Sequence, residues 1–230
     1  MTGNDIARRI DHTLLRAEAT QAEILRLCEE AVTHGFHAVC VNTRWVSTAA
    51  DRLQGTAVSV AAVVSFPLGA DTTKVKVAQT QDAIYAGADE IDVVADLPAI
   101  IEGDAKYLLH QLMSVLRACR TMRPAVLLKV IIESAALKTE QKVFACRIAE
   151  QAGVDFLKTS TGFHPAGGAT VEDVALMKQT APRCKIKASG GIKTAQQAIA
   201  MLGAGAERIG TSAGAAIMEE LRADGRGIRQ

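Results

Sequence analysis

Short apolar runs alternate with amphipathic segments along the whole chain. Most of the runs are almost continuously apolar and rich in β-branched residues, which is typical of parallel strands whose outer face is covered by helices. We therefore predict a strand at each of eight segments: 10–13, 37–41, 58–65, 90–94, 126–132, 155–158, 184–188 and 208–210.

The segments between these strands carry recognisable helix boundaries. Three of them start with a Thr followed three residues later by an acid or an amide, the pattern of a capping box, in which two residues satisfy free backbone donors. The three pairs are Thr20 with Glu23, Thr170 with Asp173, and Thr194 with Gln197. Glycines are predicted to end helices just before the next strand, at Gly35, Gly87, Gly153 and Gly203.

Eight strands, each followed by a helix, are the elements of a (β/α)8 TIM barrel, and 230 residues suit the compact end of that fold. An open, doubly wound parallel sheet is the alternative, but the G-x-G-x-x-G sequence typical of its first turn is absent. No linker rich in Pro, Gly or Ser divides the chain. We predict a single α/β barrel domain over residues 1–230, with 222–230 as a mobile tail.

Composition and charge exclude several kinds of protein. With 49% apolar residues and a net charge of +1, the chain is neither disordered nor basic enough to bind nucleic acid. Its apolar runs are far shorter than the roughly 20 residues that span a membrane, and we expect no signal peptide. Five scattered cysteines without a C-x-x-C pair indicate reduced thiols. We therefore expect a cytoplasmic protein without a nucleic-acid or membrane partner.

One spacing raises the question of a metal site. His34, His37 and Cys40 recur every three residues. However, His34 is predicted at a helix end and Cys40 inside a strand, so these side chains should diverge. Neither an H-E-x-x-H sequence nor paired C-x-x-C sequences occur. We predict no metal and no other cofactor.

Charged residues occur inside the apolar strands, toward the strand ends where a TIM barrel carries its reactive groups. A buried lysine is unusual unless it is paired or functional. One such lysine alone could equally form a structural ion pair with Asp11, Asp92 or Glu133, but three that converge on one barrel mouth favour a function. The strand ends give Asp11, Cys40, Asp92, Lys129, Lys158 and Lys187.

Two of these lysines, Lys158 and Lys187, end neighbouring strands, so their ammonium groups are predicted to lie close together. A lysine is a nucleophile at neutral pH only as the free amine, and a second ammonium together with desolvation lowers its pKa. A carbonyl substrate can then form a Schiff base on one of the two. Asp92 is placed to move protons at the carbon next to the imine and at the reacting hydroxyl.

Glycine-rich loops after two neighbouring strands predict a phosphate site. One loop is 189–191, Ser-Gly-Gly, and the other is 210–214, Gly-Thr-Ser-Ala-Gly. Each leads into a helix, whose N-terminus favours an anion. Loops after the seventh and eighth strands form the usual phosphate site of a TIM barrel. A further pair, Gly167 and Gly168, follows the sixth strand and can line the same pocket.

Motifs spread over nearly the whole chain, from about Ile10 to Ile217, resemble the deoxyribose-phosphate aldolase family. The most specific are KTSTG at 158–162 and KASGG at 187–191, in that order. The others are IDHTLL at 10–15, VCVN at 39–42, FPLG at 66–69, EIDVV at 90–94, LKVIIE at 128–133 and RIGTSAG at 208–214.

The resemblance implies a metal-independent class I aldolase, a lyase that cleaves 2-deoxy-D-ribose 5-phosphate reversibly to acetaldehyde and D-glyceraldehyde 3-phosphate in deoxynucleoside catabolism. It implies the Schiff base on Lys158, with Lys187 as the ammonium that lowers the nucleophile's pKa and shares proton transfer. It also implies proton transfer by Asp92, supported by Asp11 and Lys129. Contacts with substrate or phosphate are implied for Cys40, Thr161, Gly162, Gly190, Gly191, Gly210, Thr211 and Ser212. A homodimer is common in the family.

Two other hypotheses explain part of the same pattern. One is a Schiff-base enzyme for a different phosphorylated sugar, and the other is a non-catalytic barrel whose lysines only hold a sugar phosphate. The chain also departs from many members of the family, because the loop 162–168, GFHPAGG, is one residue longer. Some members end in a tyrosine proposed to assist proton transfer, whereas Tyr85 and Tyr107 are both predicted in helices here.

Overall fold

The computed structural model describes residues 2–121, 126–223 and 225. Within them, eight parallel strands close into a barrel in chain order, and β8 pairs with β1. The strands are β1 Ile10–Leu14, β2 Ala38–Asn42, β3 Ser59–Val64, β4 Glu90–Val94, β5 Leu127–Ile131, β6 Phe156–Lys158, β7 Lys185–Ser189 and β8 Arg208–Thr211. The predicted TIM barrel is confirmed, with every strand boundary within one residue of its predicted place.

The described residues form ten α-helices, and at least one helix follows each strand. They are α1 Gly3–Ala7, α2 Gln21–His34, α3 Val46–Leu53, α4 Thr73–Tyr85, α5 Leu97–Glu102, α6 Ala105–Arg120, α7 Thr139–Ala152, α8 Val171–Thr180, α9 Ala195–Gly203 and α10 Gly214–Ala223. No helix in the described ranges is long and apolar enough to cross a membrane. Most of the tail predicted as mobile, residue 224 and residues 226–230, lies outside the described residues.

Two of the three predicted capping boxes form completely. At Thr20 and at Thr194 the two residues of the box satisfy each other's backbone donors. The third forms only in part, because Thr170 Oγ1 accepts from the Asp173 amide at 3.1 Å while the Asp173 carboxylate binds Lys142 Nζ at 2.6 Å. The ion pair with α7 replaces the return bond of the box.

Helices end at or within two residues of all four glycines where the sequence predicts an end. Gly35 and Gly153 adopt the left-handed conformation directly after α2 and α7, and Gly87 has a φ of 108° after α4. The fourth helix, α9, has Gly203 as its last residue, so it also ends where the sequence predicts. Gly203 is still helical, and the left-handed residue is Gly205, with a φ of 110°.

The apolar core has two parts. The larger part lies between the strands and the surrounding helices and contains most of the buried Val, Ile, Leu and Ala side chains. The smaller part contains Leu15, Cys40, Ala61 and Val63, with Phe66 packed against it. Cys40 Sγ lies 4.0 Å from a carboxylate oxygen of Asp92, so the smaller cluster borders the charged groups inside the barrel.

Candidate active site

Charged side chains fill the centre of the barrel. Side chains alternate along a strand, so Glu90 and Asp92, two residues apart on β4, both point inward. Each of the groups is at most 6% exposed. We call the set of seven the interior charge cluster: Asp11, Glu90, Asp92, Lys129, Lys158, Lys187 and Arg208.

Asp92 is the point on which the three predicted lysines converge. Lys129 Nζ lies 2.6 Å from one carboxylate oxygen, while Lys158 Nζ at 2.9 Å and Lys187 Nζ at 2.8 Å share the other. Burial favours the neutral acid, but the three ammonium groups outweigh it and hold the pKa of Asp92 well below its usual value. Asp92 is therefore a carboxylate at neutral pH.

Two further carboxylates complete the cluster. Asp11 accepts a close hydrogen bond from Lys187 and one of 2.7 Å from Arg208. Glu90 lies 2.5 Å from Lys129 Nζ and 3.3 Å from Arg208, and His37 Nε2 lies 3.2 Å from its other oxygen. Burial opposes ionisation of both acids, but the surrounding cations lower the pKa of each below its usual value.

The sequence analysis did not predict three residues of this region. Glu90 and Arg208 are members of the cluster, and His37 contacts Glu90. The signal was present, because Glu90 is two residues before Asp92 and Arg208 is two residues before Gly210. Strand alternation puts both on the inward face.

The depth of the charged residues differs from the prediction that they all stand at strand ends. Lys158 does end β6, which has only three residues. Asp11, Asp92, Lys129 and Lys187 lie inside longer strands that continue for two or three residues beyond them. Asp92 is in register with Lys129, and Lys158 is in register with Lys187. Lys158 is also in register with Ile131, two residues beyond Lys129, so the two pairs are offset along the barrel.

A cavity of about 410 Å³ opens at the carboxyl ends of the strands. Of the seven cluster members, Lys158 is the one that lines it. Arg16 and Lys193, which were not predicted, add two cations to its wall. The predicted contact residues that line the cavity are Thr161, Gly162, Gly190, Gly191, Gly210, Thr211 and Ser212.

Cys40, which was also predicted to contact the substrate, has a different position. It lies with Leu15, Ala61 and Val63 in the small apolar cluster, is fully buried, and does not line the cavity. Burial raises the pKa of its thiol. Its position is that of a small core residue rather than of a substrate contact.

The two glycine loops combine close packing with helix N-termini. A Cβ on Gly210 would lie 2.9 Å from Ser189 Cβ and 3.0 Å from Lys187 Cε, so the glycine leaves room for the lysine stem. Thr211 Oγ1 donates to the Ile192 carbonyl at 2.6 Å and ties the loops together. They lead into α9 and α10, whose N-termini favour an anion in the cavity.

The longer loop after β6 is held at its start by hydrogen bonds and carries an aromatic residue close to the same end. Glu133 accepts from the Thr161 amide at 3.1 Å and from its hydroxyl at 2.5 Å. This contact occupies Glu133, which the sequence offered as an ion-pair partner of a lysine. Phe163 packs edge-on against Phe66, with ring centroids 5.3 Å apart, and the Phe66 ring lies 6.0 Å from Lys158 Nζ. The loop thus packs against the aromatic ring that lies beside the amine.

The residues weighed as metal ligands contact different groups. His37 faces Glu90 and Cys40 faces Asp92, whereas His34 Nδ1 lies 3.3 Å from the guanidinium of Arg222. Within the part of the chain that the structure describes, no group of three or more His, Cys, Asp or Glu residues is arranged to hold a metal ion.

Comparison with known proteins gives a consistent result. Residues 6–220 match a family described as DeoC/LacD family aldolase. A deoxyribose-phosphate aldolase of Geobacillus sp. (strain WCH70) is 50% identical over 94% of this chain and 96% of that relative. One from Thermococcus gammatolerans is 48% identical over 96% of this chain and 99% of that relative. The solved deoxyribose phosphate aldolase of Aeropyrum pernix, described as tetrameric, has a TM-score of 0.89 and 28% identity, covering 96% of this chain and 93% of that one.

Proposed function

Because the chain belongs to the DeoC/LacD family of aldolases, we propose that it cleaves 2-deoxy-D-ribose 5-phosphate reversibly to acetaldehyde and D-glyceraldehyde 3-phosphate. The names of its relatives state a deoxyribose phosphate as the substrate, and the products follow from retro-aldol cleavage of that sugar. The observation that carries the proposal is the position of Lys158, a buried amine that reaches both the cavity and Asp92.

The first step is formation of a Schiff base. The neutral amine of Lys158 attacks C1 of the open-chain sugar, and the carbinolamine loses water to give the imine. The ring of Phe66, with Phe163 packed edge-on against it, lies on one side of the amine. A protonated imine then accepts electrons from the bond to be broken.

The second step breaks the bond between C2 and C3. The hydroxyl at C3 gives up its proton, the C2–C3 electron pair moves toward the imine nitrogen to form an enamine, and D-glyceraldehyde 3-phosphate leaves. Protonation at C2 and addition of the water released earlier then free acetaldehyde and the lysine. The ammonium of Lys187 lies 2.8 Å from one carboxylate oxygen of Asp92, and these two groups exchange the protons of the reaction. Asp11 and Lys129 hold this pair in position.

The phosphate is proposed to bind between the two glycine loops. Gly190, Gly191 and Ser212 line that end of the cavity, and the N-termini of α9 and α10 favour its negative charge. The ammonium of Lys193, also on the wall, adds to this attraction.

Reductive trapping tests the nucleophile. With acetaldehyde and borohydride, hydride addition to the imine should leave an ethyl group on Lys158, found by peptide mass mapping. Lys158→Leu should abolish both the adduct and turnover. Lys185→Leu, which removes an exposed lysine at the other end of β7, is the matched control and should retain both. Adduct formation on another lysine, or turnover by folded Lys158→Leu, would contradict the assignment.

Product analysis separates the two remaining hypotheses. A Schiff-base enzyme for a different sugar would form the lysine adduct but yield products other than acetaldehyde and D-glyceraldehyde 3-phosphate. A barrel that only binds sugar phosphates would form no adduct and release no product.

We propose further that residues 1–230 act as one domain, that the chain forms a homodimer, and that it works in the cytoplasm. The family match over 6–220 supports the first, and the five free, buried cysteines suit a reducing compartment. Sedimentation velocity tests the dimer against a monomer and against the tetramer described for the Aeropyrum pernix relative. Cell fractionation tests the location.

A further inference from the structure

The interior charge cluster has unequal numbers of acids and bases. It contains three carboxylates and four basic groups, all at least nine-tenths buried. If every group is ionised, the cluster carries one surplus positive charge. If one base loses its proton, the cluster is neutral. The acids are Asp11, Glu90 and Asp92, and the bases are Lys129, Lys158, Lys187 and Arg208.

The contacts decide which base gives up the proton. Lys129 and Lys187 each contact at least two of the carboxylates, and so does Arg208. Among the described residues, the ion pair of Lys158 is with Asp92 alone. Burial works against the charged forms of Lys129, Lys187 and Arg208. The adjacent carboxylates nevertheless hold the pKa values of Lys129, Lys187 and Arg208 above their usual values. Lys158 is therefore the base of the cluster whose positive charge has the fewest carboxylate partners.

We propose that Arg208 and Glu90 are positioning residues that set the protonation state of Lys158 through the total charge of the cluster, although neither reaches the cavity. This inference rests on the proposed function, in which Lys158 must be a neutral amine. Arg208 acts through Asp11 and Lys187, and Glu90 acts through Lys129, each relay ending on Asp92.

Other groups packed against the cluster do not alter this count. The Cys40 thiol stays neutral because burial raises its pKa. Glu133 is turned to Thr161, which donates to both of its oxygens, and the ring of Phe156, 5.3 Å from the Arg208 guanidinium, carries no charge.

His37 is an ionisable residue next to the cluster. Its side chain is 36% exposed, and its Nε2 lies 3.2 Å from a carboxylate oxygen of Glu90. A His37→Gln background removes this ionisable group from the pH profile of Lys158 trapping.

The test is the pH profile of borohydride trapping of acetaldehyde on Lys158, measured in the His37→Gln background. Arg208→Met removes a positive charge, so the midpoint of the profile should move up by about one pH unit. Arg208→Lys keeps the charge and should leave the midpoint in place. Glu90→Gln removes a negative charge and should move the midpoint down by a similar amount.

The double variant Arg208→Met/Glu90→Gln separates charge from structural damage. It removes one charge of each sign, so the surplus is restored and the midpoint should return to that of the parent. Structural damage would add in the double variant instead of cancelling. Coincident midpoints for Arg208→Met and Arg208→Lys, or additive shifts in the double variant, would overturn the inference. Absence of trapping in the unmodified enzyme would instead overturn the proposed function.

Discussion

At the scale of single residues, the four interior bases differ in what they touch. Lys158 reaches the cavity, whereas Lys187 lies between Asp11 and Asp92 and has no access to it. Spacing along the chain predicted that the two lysines are neighbours but left open which one forms the imine. The proposed division of roles makes Lys158 the nucleophile and Lys187 the cation beside it.

The effect of that cation can be measured. Lys187→Leu should lower turnover and move the pH optimum of the remaining activity upward, because an ammonium that repels a proton from the nucleophile is lost. A profile of kcat/KM against pH gives the optimum. A lower rate with an unmoved optimum would mean that Lys187 acts only in proton transfer or in packing.

Lys76 is a further buried lysine, on α4, that the sequence analysis did not single out. Its Nζ donates to the Val94 carbonyl at 2.8 Å and to Gln111 Oε1 at 2.9 Å. Both acceptors are neutral, and burial lowers the pKa of Lys76 to about 8 despite the opposing carboxylates of Asp96 and Asp71. The folded protein therefore holds this proton less tightly than the unfolded chain does.

The sign of the pH effect follows from that difference. Between about pH 8 and the usual lysine value of 10.5 the unfolded state binds more protons, so the free energy of unfolding should rise with pH. Relative to Lys76→Met, the native chain should gain about 2 kcal/mol between pH 8 and pH 10. Denaturant titrations at several pH values measure the gain. Lys74→Met, on an exposed position of the same helix, should give a curve parallel to the native one.

At the scale of elements, the ends of helices depend on single backbone positions. Gly35 has a φ of 66° in the left-handed region, with open space where a Cβ would stand. Gly203 has equally open space but helical backbone within α9. The two glycines therefore separate conformational strain from steric contact.

A pair of alanine variants tests this difference. Gly35→Ala should lower the free energy of unfolding by about 1 kcal/mol, because an L-residue resists the left-handed conformation. Gly203→Ala should raise it by up to about 1 kcal/mol, because alanine favours the helix. Thermal unfolding of both variants decides the point, and equal effects would contradict it.

The sequence predicted elements better than it predicted the site. Apolar runs located every strand because burial on both faces leaves a continuous pattern. The end of α9 was located as well, but the left-handed residue there is Gly205 rather than Gly203, because a glycine alone does not reveal its φ. The lysines and Asp92 were found because charge inside an apolar strand is conspicuous. Glu90 and Arg208 were missed because they begin their strands, where charge is ordinary, and only the closed barrel brings their side chains into the centre.

At the scale of the whole molecule, closure of the barrel joins residues that are remote in sequence. Arg208 contacts Asp11 across a separation of 197 positions, and no periodicity along the chain reports such a pair. The five cysteines are spread around the same closed structure, on α2, β2, α6 and α7 and just before β7, and all are buried.

This distribution predicts how the thiols react. Burial raises the pKa of Cys28 and Cys184 to about 11 and that of Cys119 and Cys146 to about 12, and Cys40 shifts in the same direction. Ellman's reagent should find almost no reactive thiol in the native protein and all five after unfolding in guanidinium. Rapid native reaction of a single cysteine, located by mass mapping, would show that its helix opens independently of the barrel.

The surplus positive charge of the barrel interior has a consequence for the later chemistry as well. On the proposed route, the protonated imine restores to the cluster the charge that Lys158 gave up as an amine. Its surroundings then favour any change that neutralises the nitrogen, and cleavage of the C2–C3 bond does so by delivering an electron pair to it. The same imbalance that frees the nucleophile therefore makes the iminium a stronger electron sink.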